Sequence, residues 1–290
     1  MKELIEPVDL CSADGRLNAA AIGWARRPLV RANLRGGFGR RKRWDYWCVT
    51  DERWLLALLV ADLDYLALAA ASLIDLTSGE GEDRVKLARG GLELPQQPGV
   101  VELAGVRLEP GRLRAEMGPL RAEIEIAPPP GDILQVVVPW SDRRFQLTSK
   151  QIGSPAAGRI RWGERTIDLA PNAWSVLDFG RGIWPARTSW NWAAAAGGGI
   201  AFNLGARWTD EENALFDRGV IHRLDQRVRF GDHGIDGASV ALRFTPVVTR
   251  RIGWPGVAGL RWSAGRFTGR IGRREVTDLF GWSERFDILW

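Results

Sequence analysis

The feature that most constrains this chain is a succession of short segments parted by turn formers. Segments 100–108, 112–117, 120–126, 133–139, 143–149 and 158–169 are separated by Gly, Pro and Asp, the pattern of consecutive β-hairpins. Segment 120–126, LRAEIEI, alternates apolar and charged residues and predicts an antiparallel strand with one wet face. Segment 133–138 is apolar on both faces and predicts a strand covered on both sides. The same style returns at 240–245, 258–262, 267–271 and 275–279, so the chain reads as all-β, built as two antiparallel barrels or sandwiches.

With 290 residues, 45% of them hydrophobic, the chain can bury a sizeable core in two β-domains. A weak internal echo agrees: GRIRWGERTIDLAPNAW at 158–174 resembles GRIGRREVTDLFGW at 269–282, each with Gly-Arg-Ile, a tight turn, Asp-Leu and a tryptophan. The division expected is a first domain over 1–155, with an N-terminal wrap as far as Phe38, and a second over 156–290. Pro128, Pro129 and Pro130 form a stiff loop too short to be a linker.

Forty basic and 35 acidic residues are interspersed, so the net charge of +5 does not point to nucleic acid. The one basic run, GRRKR at 39–43, reads first as a solvated loop and second as a patch for phosphates or anionic lipid. Residues 54–76 are the most apolar stretch, but Asp62, Asp64 and Asp75 interrupt it, at roughly 2.5–3.5 kcal/mol each near a membrane centre. No stable membrane insertion is expected, and the N-terminus lacks the apolar core of a secretory signal, so a cytoplasmic location is expected. Two cysteines and two histidines offer neither a disulfide framework nor a zinc-ligand spacing, and the expectation is no metal and no cofactor.

Residues 180–213 concentrate Trp184, Trp190, Trp192 and Trp208 with Asn191, Asn203 and the triplet Gly197, Gly198 and Gly199. Large rings beside glycines that let a molecule approach the backbone suggest a lined cavity, although tryptophans equally often plug a barrel floor. Glu211, Glu212 and Asn213 read as an exposed turn. In segment 43–50, Trp44, Tyr46 and Cys48 fall on one face and Asp45, Trp47 and Val49 on the other, so both faces are expected to be covered.

Together RWDYWCVT, VADLDYLALA, VVVPWSDRRFQLTSK, LDFGRGIWPARTSWNW and FNLGARWTDEEN resemble a bacterial domain-of-unknown-function family (2804). That family is itself similar to the tandem-lipocalin superfamily of carotenoid hydratases, tocopherol cyclases and lipocalin-like Diels–Alder cyclases. The resemblance covers residues 41 to the C-terminus and implies two tandem lipocalin-like antiparallel β-barrels, with residues 54–76 broken at Asp62–Asp64 into two strands rather than forming the helix that Leu and Ala favour. It implies a hydrophobic, isoprenoid- or lipid-like ligand, but not one reaction. The positions that match best are Trp140, Arg144, Lys150, Asp178, Trp184, Trp190, Asn191, Trp192, Asn203 and Trp208. Histidines that often stand beside the family's closing tryptophan motif are missing around Trp282.

Absent motifs remove several chemistries: there is no GxSxG elbow, phosphate loop, HExxH or CxxC. Carboxylates beside aromatic rings remain. A buried Asp driven towards its neutral form can protonate an alkene, and tryptophan faces stabilise the resulting cation. Asp178, Asp62 and Asp64 are the candidate acids, with Asn191 and Asn203 to orient water. Trp140, Arg144, Lys150, Trp184, Trp190, Trp192, Trp208 and Trp282 complete the expected ligand site in a cavity lined from the second barrel. The expected function is binding of a hydrophobic small molecule, with cofactor-free hydration, cyclisation or isomerisation as an extension and a non-catalytic carrier or sensor as the alternative. Arginines that simply neutralise the buried aspartates are the competing structural explanation.

Overall fold

A computed structural model describes residues 1–253 and 255–290 of the chain. Its regular structure is antiparallel strand except for a short parallel pair, Val8–Asp9 with Val30–Arg31, and a 3-10 turn at Ala19–Ala21. Two compact units form: Met1–Pro129 with Gln135–Trp184, and Pro130–Leu134 with Pro185–Trp290.

Each unit repeats one strand order. In the first, a meander Arg41–Thr50, Trp54–Asp62, Leu66–Asp75 and Gly81–Arg89 is followed by a second series that starts at Val101–Leu103. That series ends in Arg144–Trp162 and Trp174–Ile183, and the last strand pairs with Arg41–Thr50, the strand that opened the meander. In the second unit the meander is Arg187–Gly197, Ile200–Arg207, Ala214–Asp217 and Val220–Arg223. Its return series closes with Val240–Trp254, Ala258–Ile271 and Arg274–Leu289, the last pairing with Arg187–Gly197. The fold is therefore all-β, two tandem lipocalin-like antiparallel β-barrels, each a curled sheet.

The shared order accounts for the sequence echo. Gly158 faces Ile124 across one strand pair and Gly269 faces Leu242 across another, each before the hairpin into its unit's last strands. A Cβ at these two positions would meet the Glu123 carbonyl oxygen at 2.2 Å and the Ala241 carbonyl oxygen at 2.0 Å. Glycine recurs because the neighbouring backbone passes too close for a side chain.

Strand Leu120–Ile126 shows the expected alternation of buried and exposed residues. Residues 54–76 form the two strands Trp54–Asp62 and Leu66–Asp75, parted by a turn in which Asp64 has φ 76°. Pairing on both edges and burial override the helix preference of Leu and Ala. Other boundaries differ from expectation. Segments 143–149 and 158–169 are joined by the continuous strand Arg144–Trp162, where Gly153 and Pro155 accompany a bulge between Ile152 and Ser154 instead of a turn. Segment 240–245 likewise extends to Trp254 through a bulge between Pro246 and Val248, and 258–262 merges with 267–271 into Ala258–Ile271. The expected domain boundary at 155/156 falls inside Arg144–Trp162. That strand pairs with Trp174–Ile183 along one part and Leu120–Ile126 along the other, so the units divide at Trp184/Pro185.

Candidate functional site

Along Arg41–Thr50 the side chains alternate, and Trp47 and Val49 join the core of the first unit with Leu56, Leu58 and Val60 from the next strand and Leu177 and Phe179 from the strand on the other side. The packing leaves a cavity of about 350 Å³. Trp47, Leu177 and Ile126 supply its apolar wall, and the turns carrying Pro98 and Gly99, Pro110 and Gly111, and Pro128 and Pro129 supply its rim. Asp45 and Gln151 are the polar side chains in the lining. An apolar pocket of this size with few polar groups is the usual form of a small-molecule site.

Asp45 is the chemically distinctive member. Its Oδ2 accepts from Arg181 Nη2 at 2.6 Å, and both side chains are almost fully buried, at 3% and 1% exposure. Among the described residues its Oδ1 takes no hydrogen bond. Arg181 is fixed from every side: Nη1 donates to the carbonyls of Trp44 and Gly180, Nε donates to Pro95, and the guanidinium lies 3.8 Å from the Phe179 ring centroid. Burial pushes the Asp45 carboxyl above its ordinary pKa; the Arg181 cation opposes this and the charge of Asp178 adds to it.

The three expected acids lie elsewhere. Asp62 accepts from Arg43 Nε and Nη2, from the Asp64 amide and from the Leu92 amide. Asp64 accepts from Arg41 Nε and from the amides of Gly39 and Arg41. Both carboxylates thus tie the turn 63–65 to the start of the neighbouring strand and to residue 92, the arginine-neutralised arrangement. The same contacts engage Gly39, Arg41 and Arg43 of the basic run, and Lys42 is buried with Nζ directed at the carbonyls of Gly39 and Leu63. Asp178 pairs with Lys150 at 2.8 Å and accepts from Thr148. Lys150 and Asp178 each sit one residue from a lining residue, Gln151 and Leu177, and strand alternation turns them to the opposite face.

None of the expected ligand residues is among those lining this cavity. Trp184 packs on Trp44 and edge-on to Trp140, with ring centroids at 5.6 and 4.7 Å. Arg144 donates to the Arg143 carbonyl. In the second unit, Ala193 and Ala195 face the apolar core, which places Trp190 and Trp192 on the other face of the same strand. There Trp192 packs edge-on to Trp282, and Trp190 packs on Phe286 and donates to Glu284. Phe202, Phe244 and Phe267 pack in that unit's interior, with ring centroids 4.5–5.0 Å apart, whereas the cavity of about 350 Å³ is lined from the first unit.

Asn203 is a structural polar residue. Its Oδ1 accepts from Trp192 Nε1 at 2.7 Å and its Nδ2 donates to the Glu212 carbonyl at 2.7 Å, so both ends of the buried amide are engaged, one with the neighbouring strand and one with the following loop. Asn191 faces the core side of its strand, and its carbonyl accepts from the Thr209 hydroxyl, in the turn that follows Trp208. Glu212 and Asn213 are buried rather than exposed, because Asn213 Oδ1 takes the Gly205 amide and holds the loop against the strand. Gly197, Gly198 and Gly199 form the tip of a hairpin rather than a ligand cradle. Replacing Asn203 by leucine is expected to destabilise the second unit by about 2–3 kcal/mol, read by urea unfolding, because it removes two buried hydrogen bonds, from Trp192 Nε1 and to the Glu212 carbonyl.

The sequence signal that could have found Asp45 was available: it is an acid sharing a strand face with Trp47 and Val49. Its partner Arg181 lies 136 residues away and follows from no local pattern. The family model described as Domain of unknown function (DUF2804) matches residues 1–290. No curated protein matches the sequence. Among solved structures, a protein assigned as an AttH from Nitrosomonas europaea is similar over 85% of this chain and 92% of its own, at 15% identity and a TM-score of 0.53. Kievitone hydratase from Nectria haematococca is similar over 86% of this chain and 88% of its own, at 12% identity and a TM-score of 0.47. CghA, solved with Sch210972, covers the same shares at 13% identity and a TM-score of 0.44. At such identities the similarity bears on the fold alone.

Proposed function

We propose that this chain, which belongs to the DUF2804 family, binds a hydrophobic small molecule in the cavity of its first barrel, and that Asp45 is the group able to exchange a proton with it. The observation that carries this reading is the cavity of about 350 Å³ with an apolar wall and a buried carboxyl whose second oxygen, among the described residues, takes no hydrogen bond. An isoprenoid- or lipid-like skeleton suits Trp47, Leu177 and Ile126, while Asp45 and Gln151 suit one polar or unsaturated position on it. In the catalytic extension, protonated Asp45 delivers its proton to an alkene carbon, the Trp47 face stabilises the cation, water adds to it, and the proton released returns to the carboxylate. A carrier is the second reading, and one contact favours it: Arg181 at 2.6 Å stabilises Asp45 in the charged form that binds but does not donate.

The test is to incubate the protein with a lipid extract, identify what co-purifies and compare its mass before and after. A gain of water or a changed skeleton supports chemistry, and an unchanged ligand supports carriage. Leu177→Trp, which fills the cavity, is expected to lower ligand recovery at least about tenfold with the fold retained. Asp45→Asn is expected to retain the ligand and abolish any mass change. Ligand recovery unaltered in Leu177→Trp would place the site elsewhere.

A further inference from the structure

The second unit carries an uncommon charge arrangement at one end of its sheet. Arg251 stands directly opposite Arg261, and Arg261 directly opposite Arg285, on three adjacent strands. Like charges directly abreast are destabilising, so such a row calls for a counter-charge. Asp232 supplies it from the connection between Val228–Phe230 and Gly234–Gly237. Its Oδ1 lies 3.1 Å from Arg261 Nη1 and 3.6 Å from Arg285 Nη2, so two guanidinium groups converge on one oxygen. Arg285 Nη2 is steadied by donating to the Phe230 carbonyl.

Below this point the structure leaves a recess of about 30 Å³, lined by Ser263, Ser283 and Phe244 together with both arginines and Asp232. Ser263 is buried, and its hydroxyl lies 2.8 Å from that of Thr249. Glu284 also borders the recess, but its carboxylate accepts from Trp190 Nε1 on the opposite face of the strand. Asp232 itself is 61% exposed on its connection.

We propose that this recess is an oxyanion site, taking a phosphate or carboxylate group, and that Asp232 is an internal occupant which such a group displaces. Paired guanidinium groups present fork-like donors matched to an oxyanion, and the hydroxyls beneath add neutral donors. The recess is small enough to take the charged group alone, with the remainder of any larger molecule outside.

The full chain is titrated with inorganic phosphate, and separately with acetate, by calorimetry at ionic strength held constant with sodium chloride. Because Asp232 competes with the ligand, Asp232→Asn is expected to bind the preferred anion about tenfold more tightly than the wild type. Adding Arg261→Gln or Arg285→Gln to that variant is expected to reverse the gain, while Arg285→Lys, which keeps the charge but loses the fork, falls between. The arm that responds identifies the group as phosphate or carboxylate. Asp232→Asn binding neither anion more tightly than the wild type overturns the proposal, as does equal affinity with and without the arginines. Thermal unfolding of each variant confirms that a loss of binding is not a loss of fold; where a glutamine variant does not fold, the comparison of Asp232→Asn with Asp232→Asn/Arg285→Lys decides.

Discussion

Replacing Arg181 by methionine is expected to destabilise the first unit by about 3–5 kcal/mol near neutral pH, a large part of the margin of an ordinary domain. The loss arises because Asp45 remains buried without its counter-ion, while the Phe179 ring keeps an apolar neighbour. Its pH dependence has a defined sign. Burial already raises the pKa of Asp45, and Arg181 is the group that opposes the rise, so its removal carries the folded-state pKa higher. A carboxyl with a raised folded-state pKa contributes stability that is present below its unfolded value of about 4 and lost as pH rises through the folded value. The deficit of Arg181→Met relative to wild type is therefore expected to shrink as pH falls from about 7 towards 4, and Arg181→Met combined with Asp45→Asn to recover most of it at neutral pH. Urea unfolding of the four proteins at both pH values measures this. A deficit independent of pH and untouched by Asp45→Asn would trace the effect to lost packing instead.

Gly180→Ala is expected to cost about 2–3 kcal/mol although it adds a single methyl group. The new Cβ would stand 2.0 Å from Trp44 Cζ2 and 2.1 Å from Cε2. The Trp44 ring cannot simply retreat, since it packs on Trp184, which in turn packs on Trp140. A double-mutant cycle with Trp44→Leu separates this clash from any intrinsic effect of alanine in the strand. Favourable coupling of more than about 1 kcal/mol is expected, and additivity would show that the ring does yield. Near-ultraviolet circular dichroism of Gly180→Ala should lose intensity from the tryptophan cluster.

Much of the fold was legible because strand periodicity and turn chemistry are local. Leu120–Ile126 could be placed from its alternation, and the echo between 158–174 and 269–282 from its shared glycines, since at Gly158 and Gly269 the backbone of the preceding paired strand excludes a side chain. Bulges defeated the segment boundaries: at Ser154 and Val248 the chain bends and stays paired, where Gly and Pro nearby suggested that it stops. The candidate site was legible only as a type. A buried aspartate beside a tryptophan is the constellation the sequence suggested; Asp62 and Asp64 are held at a turn by Arg43 and Arg41, whereas the carboxyl that lines the cavity beside Trp47 is Asp45, whose partner Arg181 follows from no local pattern.

Residues 180–213 mark the same division. The sequence by itself determined that the chain is all-β and tandem, that its aspartates in apolar strands need cations or amides, and that its tryptophans are too many to stand in water. Only the tertiary structure decided which face each of them takes. Trp190 and Trp192 lie on the face opposite the core of the second unit, whereas Trp47 lines the cavity of the first. In a strand, one step of position exchanges interior for exterior, and which side becomes interior is set by the curl of the sheet and by partners more than a hundred residues away, as Arg181 is from Asp45.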